Sequence, residues 1–304
     1  MTQSPHIPIM VDDVLDGLQV VQRTNPIYVD GTLGAGGHSH AILSADDTAR
    51  VIAFDRDLDA IAIAQETLIS FSDRVTIHHA SYLEMGTLIT EPVDGILLDL
   101  GLSSMQVDDA ARGFSFRHDA PLDMRFDPTS EDPTAGELLN GLPEEDIANI
   151  IYHYGEERQS RKIARAIVTN RPVKSTKQLA DLIADTIRGK PKIHPATLTF
   201  QALRIAVNRE LEAVETILPT AIDLLKPGGR LAVITFHSLE DRIVKHTFKE
   251  EATDCICPPK QPICTCGHKA RVKLVNRKPI VANDEEIAEN PRSRSAKLRI
   301  VERI

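Results

Sequence analysis

"VDGTLGAGGHSHAIL", residues 29–43, runs from an apolar lead-in to an acid, through four glycines within seven positions, into a helix-like pattern. Such a loop lets backbone lie close to a ligand, because glycine has no Cβ to hold the ligand off. The flanking segments predict the sheet that carries it. "PIYVD" (26–30) reads as a buried strand ending at Asp30, with a helix starting near His38. "RVIAFD" (50–55) is a second strand, and "DLDAIAIAQETL" (57–68) a helix with Asp57 as N-cap and Leu58, Ile61 and Leu68 at helical spacing. "RVTIHH" (74–79) and "VDGILLDL" (93–100) supply strands three and four. Alternation of this kind predicts an α/β fold, a parallel sheet with helices on both faces.

After Leu100 the rhythm changes. From about 108 to 195 there is no convincing buried strand: a loop rich in Asp, Arg and Phe (108–130) precedes helical patterns at 143–154, 157–168 and 175–187. The first places Ile147, Ile150, Ile151 and Tyr154 on one face. The second places Arg158, Arg161, Lys162 and Arg165 on one face and Ile163, Ala166 and Ile167 on another. Residues 108–195 are therefore expected to be an inserted helical subdomain, with 1–107 and 196–304 forming the sheet domain. "TFQALRIAVNRELEAVETIL" (199–218) reads as one long helix broken by Pro219. "LKPGGRLAVITFHS" (225–238) follows as a helix end, a turn and a buried strand. Ser238 and Asp241 have capping-box spacing, and 271–275 with 296–301 look like a final strand pair.

Hydrophobic content of 42% and charged content of 26% suit a globular protein. No run approaches the roughly 18 apolar residues of a membrane span, and the N-terminus lacks a secretory pattern. The expectation is a cytoplasmic protein with no membrane partner. A formal charge of −9 argues against a generally adhesive nucleic-acid binder. Two local clusters, 268–278 with five Lys/Arg and 291–299 with four, make an anionic partner plausible in the C-terminal segment.

Asp30, the glycines, Asp55 and Asp99 all fall at predicted carboxyl ends of strands, where open parallel sheets bind ligands. A dinucleotide fingerprint fails, since Ser39 stands where its third glycine should be, and no Gly-Lys-Ser/Thr makes a phosphate loop. Acids beside glycines suit S-adenosylmethionine instead. An acid after strand two can accept both ribose hydroxyls, and carboxylates favour the cationic sulfonium where they would repel a pyrophosphate.

Seven stretches then line up in order with a known family: "DGTLGAGGHS" (30–39), "DGILLDLGLSSMQVDDAARGFSF" (94–116), "PLDMR" (121–125), "YGEER" (154–158), "HPATLTFQALRIAVN" (194–208), "FHSLEDRIVK" (236–245) and "NPRSRSAKLR" (290–299). Over nearly its whole length the chain resembles the bacterial 16S ribosomal RNA cytosine-N4 methyltransferases. The resemblance implies a Rossmann-like class I methyltransferase sheet interrupted by a helical substrate-recognition domain. It implies methyl transfer from S-adenosylmethionine to the exocyclic amine of a decoding-centre cytosine, with 16S rRNA in the small subunit as partner. Carried over by position, the cofactor contacts are Gly36, Gly37, His38, Asp55, Tyr82, Asp99 and Gln106. Asp55 is expected to hold the ribose and Tyr82 to pack beside the adenine.

Many amino-methyltransferases place Asn or Asp, Pro-Pro and an aromatic after strand four. Here that position reads Asp99-Leu100-Gly101-Leu102, which leaves the acceptor of the amine protons open among Asp99, Asp108, Asp109, His237 and Ser238. Phe114 and Phe116 are candidates either to stack on an everted base or to anchor the insert. Arg158, Arg161, Lys162 and Arg165, with Arg292, Arg294 and Arg299, are candidate RNA-phosphate contacts. Cys255, Cys257, Cys264 and Cys266 form two C-x-C pairs six residues apart; they suit a structural zinc ion or a metal-free loop. Competing readings are a methyltransferase for DNA or protein, a non-catalytic small-subunit assembly factor that keeps a cofactor pocket, and, weakest, a nicotinamide-dependent oxidoreductase.

Overall fold

Apolar side chains alternate along the strands, so each face of the sheet needs its own helical cover. The computed structural model describes residues 8–187, 193–258, 261 and 263–304. The chain divides into two compact units, Met1–Gly101 with Leu211–Ile304, and Leu102–Glu210.

In the first unit the strands are β1 (Ile27–Asp30), β2 (Arg50–Asp55), β3 (Val75–His79), β4 (Val93–Asp99), β5 (Leu225–Thr235), β6 (Val272–Leu274) and β7 (Lys297–Arg303). They form one sheet in the order β3-β2-β1-β4-β5-β7-β6. β1 to β5 pair in parallel, β7 antiparallel to β5, and β6 antiparallel to β7. This is the Rossmann-like arrangement expected. Strand order reverses between β1 and β4, and that switch point is where such sheets open a crevice for ligands.

Helices α1 (Val11–Leu18), α2 (Gly37–Ala45) and α3 (Leu58–Thr67) cover one face. Their Val14, Leu18, Ile42, Leu43 and Ala64 share an apolar cluster with Tyr28, Leu97 and Ala232 from the strands. Asp57 caps α3 by accepting from Asp59 N at 3.1 Å, as expected; Leu58, assigned to its apolar stripe, is exposed instead. Met85, on α4 (Met85–Leu88), joins the opposite face with Val29, Ile96, Leu98 and Val233.

The second unit is helical. It holds α5 (Ser104–Asp108), α6 (Ala135–Gly141), α7 (Glu144–Gly155), α8 (Ser160–Thr169), α9 (Thr176–Thr186) and α10 (Thr197–Asn208). One core gathers Ile147, Ile151, Ile163, Ile167, Leu179, Phe200 and Leu203. The sequence placed the insert at 108–195; the compact unit reaches Leu102 and Glu210, because α10 buries its Phe200–Leu203–Val207 stripe among these helices. The 108–130 segment is ordered rather than loose. Arg112 donates to the carbonyls of Arg125 and Phe126 at 3.1 and 2.8 Å, and Asn208 bonds Met124 O and Phe126 N.

The long helix expected at 199–218 is two. Arg209, in a left-handed conformation (φ 51°), ends α10, and α11 (Glu210–Leu224) then continues through Pro219 without stopping. Val214, Ile217, Leu218 and Ala221 of α11, with Val244 and Phe248 of α12 (Ser238–Glu251), complete the cover over the α4 face. A short α13 (Asp284–Glu289) precedes β7. The cap of α12 lies one residue earlier than predicted. His237 Nδ1 accepts from Glu240 N at 3.4 Å, while the Glu240 carboxylate accepts from Phe236 N at 3.0 Å. Ser238 is the first helical residue and is exposed. No helix is long and apolar enough to cross a membrane among the described residues.

Candidate functional site

Asp30 closes β1 and organises the glycine loop from beneath. Its carboxylate accepts from Ser39 Oγ at 2.7 Å and Thr32 N at 3.2 Å. It is 1% exposed, and burial pushes its carboxyl above the ordinary value despite these bonds. Asp30 is thus spent on the loop itself.

The loop is tied to both neighbouring strands. Leu33 N donates to Phe54 O of β2 at 3.0 Å, and Asp99 N of β4 donates to Thr32 Oγ1 at 2.7 Å. Gly34 N donates to Asp55 Oδ2 at 2.8 Å, and Asp57 N to Asp55 Oδ1 at 2.9 Å. Each Asp55 oxygen therefore holds one backbone N–H and keeps a lone pair for a further donor. Burial raises the Asp55 carboxyl, against the two N–H bonds that lower it.

Glycine is required at two of these positions. Gly34 has φ +52°, and a Cβ there would meet nothing closer than Thr32 O at 4.0 Å, so the space above it is open. Gly36 has φ +84° and forms the N-cap of α2. Gly37 starts that helix, with its Cα packed toward Pro8.

His38, on the first turn of α2, is 7% exposed, and its Nε2 lies 3.6 Å from Asp99 Oδ2. Among the described residues, neither ring nitrogen nor Asp99 Oδ1 has a hydrogen-bond partner, and all three atoms are buried. Burial opposes charge on the imidazole most strongly, but the Asp99 carboxylate and then Asp30 outweigh it and hold the His38 pKa above 6.5. Buried polar atoms are nearly always satisfied. Three such atoms lie together at the switch point of the parallel sheet, where the residues could hold a polar ligand.

Tyr82 begins the turn after β3, held by a capping box between Ser81 and Glu84. It is half-buried, and its Cβ would lie 3.3 Å from a Cβ on Gly31, beside the loop. His237 follows β5, which is bonded to the end of β4 through Leu100 N and Ile234 O at 3.0 Å. The first unit therefore gathers Gly34, Gly36, His38, Asp55, Tyr82 and Asp99 around the carboxyl ends of β1 to β4, with His237 at the end of β5.

Gln106 and Asp109 belong to the second unit. Gln106 Oε1 accepts from Ser103 N at 3.2 Å in the capping box of α5. Asp109 is exposed and accepts from Ala111 N at 2.9 Å. The side chain of Asp108 is outside the described residues. Phe114 and Phe116 pack within that unit's own core, Phe116 stacked on His194 with centroids 4.4 Å apart.

Arg158, Arg161, Lys162 and Arg165 are all exposed along α8 and its lead-in, opposite buried Ile163 and Ile167. Arg165 reaches Glu144 at 3.4 Å, and Lys162 Nζ donates to Thr186 O. Arg292 and Arg294 are exposed too. Arg299 corrects the expectation: it is 7% exposed and its Nε donates to Asp241 Oδ1 at 2.7 Å, so β7 register points it inward to a fixed partner. Sequence reasoning missed Thr32, which joins the loop to β4, and Glu240, 1% exposed in the α12 cap. The only signal for Thr32 is a hydroxyl two positions after the strand-end acid, too common to stand out.

Comparison with known proteins fits this geometry. Ribosomal RNA small subunit methyltransferase H of Heliobacterium mobile is 49% identical over 311 residues, covering 98% of this chain and 99% of that protein. The protein of the same name from Heliobacterium modesticaldum is 50% identical, covering 98% of each. A solved rRNA methylase from Streptococcus thermophilus superposes with a TM-score of 0.46 at 11% identity, covering 100% of this chain and 99% of that one. A family model described as the MraW methylase family matches residues 3–304. With a glycine loop, a strand-two acid and orphaned polar atoms at one switch point, and a match from end to end, the chain belongs to the MraW methylase family.

Proposed function

We propose that this protein transfers the methyl group of S-adenosylmethionine to the exocyclic N4 amine of a decoding-centre cytosine in 16S rRNA. The observation that carries the cofactor is the set of orphaned buried atoms, His38 Nδ1 and Nε2 and Asp99 Oδ1, beside the open space over Gly34. The substrate rests on family membership and on the relatives' names.

The residues present fit the cofactor. The Gly34–Gly37 backbone would lie against its amino-acid portion, Asp55 would accept the ribose hydroxyls through its spare lone pairs, and Tyr82 would flank the adenine. When bound, S-adenosylmethionine supplies an electrophilic methyl group on a sulfonium. Asp99 places carboxylate charge at the end of β4, where a cation is favoured.

A cytosine amine is a poor nucleophile because its lone pair is delocalised into the ring. The protein's task is to orient it and accept its N–H hydrogen bonds, and the proton becomes acidic as the new N–C bond forms. Asp99 Oδ1 has the unfilled acceptor capacity for this. His237 accepts from Glu240 N at Nδ1 and has its Nε2 3.0 Å from Glu240 Oε1, so the α12 cap fixes its ring at the end of β5. The target base must be turned out of its stack to be reached. The exposed α8 cations Arg158, Arg161, Lys162 and Arg165, with Arg292 and Arg294, would bind the surrounding phosphates.

The test is methyl transfer from labelled S-adenosylmethionine to naked 16S rRNA and to undermethylated small subunits, with nucleosides identified by mass spectrometry. N4-methylcytidine on either substrate is the expected product. Tight cofactor binding with no transfer to either would overturn the reading. Single-turnover rates for alanine variants of Asp99, Asp108, Asp109, His237 and Ser238 then identify the amine's acceptor.

A further inference from the structure

Between α12 and β6 the chain makes an excursion that its packing does not explain. From Asp254 to Ala270 no described residue is buried, and Ile256 and Ile263 are 45% and 75% exposed. The base of the excursion is clamped: His268 Nε2 lies 3.0 Å from Glu250 O, Arg271 N donates to Glu251 O at 2.8 Å, and the Arg271 guanidinium makes two 2.6 Å bonds to the Glu251 carboxylate. Above that clamp the described residues form no apolar core, and segments without one depend on another source of order.

The four cysteines of the chain meet there. Their Sγ atoms all lie within 4.8 Å of one another. Cys255 is 3.5 Å from Cys264, Cys264 is 3.6 Å from Cys266, and Cys266 is 3.9 Å from Cys255, while no pair is bonded. A tetrahedral zinc ion with Zn–S bonds of about 2.3 Å sets its sulfurs about 3.8 Å apart. The observed spacings bracket that value. Thr265 N donates to Cys257 Sγ at 3.4 Å, and the backbone N–H groups of His268 and Ile256 face Cys266. Peptide N–H groups turned toward sulfur stabilise thiolate ligands as they do other anions.

We propose that Cys255, Cys257, Cys264 and Cys266 bind one zinc ion in a closed tetrathiolate site that folds the 254–270 excursion. Four protein ligands leave no open coordination position, so the ion is structural and takes no part in methyl transfer. Its binding energy replaces the apolar burial that the segment lacks. The same ion holds Lys269 and Arg271, at the start of the basic 268–278 run, in a fixed position on the chain.

The test is elemental analysis of full-length protein purified without chelator, together with cobalt(II) titration of the stripped wild type. Zinc near one equivalent per chain, and visible ligand-field absorption of a tetrahedral thiolate cobalt complex, are expected. The pair Cys255→Ser with Cys264→Ser should lose the metal. Cleavage within 252–270 by a protease should speed up by at least about tenfold on chelation, as expected when local order is lost. Metal well below one equivalent with four freely reactive thiols, iron or copper in place of zinc, or disulfides found by mass would each overturn the proposal. The cobalt titration needs no substitution, so a variant that fails to fold does not decide the matter.

Discussion

Asp55 and Asp99 both end strands, yet their surroundings divide the work between them. Asp55 holds Gly34 N of the glycine loop on one oxygen and Asp57 N at the start of α3 on the other, so it ties the loop to the end of β2. Asp55→Ala should weaken S-adenosylmethionine by about 10²- to 10⁴-fold, the loss of two hydrogen bonds to a charged group, as read by calorimetry; undiminished affinity would place the ribose elsewhere. Asp99→Asn keeps size and hydrogen bonding but removes charge. It should weaken the cofactor by about tenfold, through loss of the charge that favours its cation, and lower the single-turnover rate further, by about 10²-fold, the usual cost of one electrostatic partner in a transition state. Gly34→Ala forces a side chain to φ +52° and into open space, costing about 1–2 kcal/mol in backbone strain and blocking the cofactor. A binding isotherm that matches wild type would show that nothing approaches the loop there. The three acids were legible as strand-end residues, but not that Asp30 is consumed internally while Asp99 keeps an unfilled oxygen.

Among the elements, the strands and α2, α3, α7, α8 and α9 follow from periodicity because each presents one continuous apolar stripe. The 199–218 segment does not, because one apolar pattern serves two cores: Phe200, Leu203 and Val207 pack in the helical unit, while Val214, Ile217 and Leu218 pack on the sheet. Arg209 takes the left-handed turn between them, although proline is the stronger breaker in isolation. Helix α8 carries the exposed cations proposed to meet RNA phosphates. Reversing Arg158 and Arg161 together to Glu should lower the slope of log affinity against log salt by about 1.5 to 2, one released counterion for each lost phosphate contact. An unchanged slope would assign α8 to solubility alone.

Across the whole molecule, ion pairs hold the late strands to the helices around them. Asp241 of α12 accepts from Arg299 at 2.7 Å and Lys297 at 3.2 Å, and despite partial burial these bonds hold its carboxyl below 3.8. A depressed carboxyl stabilises the fold above its unfolded value and loses that contribution as pH falls through its folded value. Asp241→Asn should therefore destabilise by about 1–3 kcal/mol near neutrality, the range for hydrogen bonds to a charged group, and by progressively less as pH falls below the ordinary carboxylate value. Denaturant midpoints for both proteins across that range check it; a penalty that does not shrink in acid would mean the pair is not the cause. The same pair removes Arg299 from the surface cations that the sequence had grouped together.

Hydrophobic periodicity, turn chemistry and strand-end acids were local properties, and by themselves they determined the α/β class, the order of the parallel strands along the chain, the helical interruption and the place of the glycine loop. Local pattern cannot show which of several similar groups has its hydrogen bonds filled from afar. That depends on strand order, which brings Asp99 to Thr32 and His38, and on register, which turns Arg299 inward. It depends too on chain closure, which brings four thiols, eleven residues apart at most, within 4.8 Å of one another. Those assignments were decided only by the tertiary structure, because burial and partnership are properties of the folded neighbourhood and not of the residue.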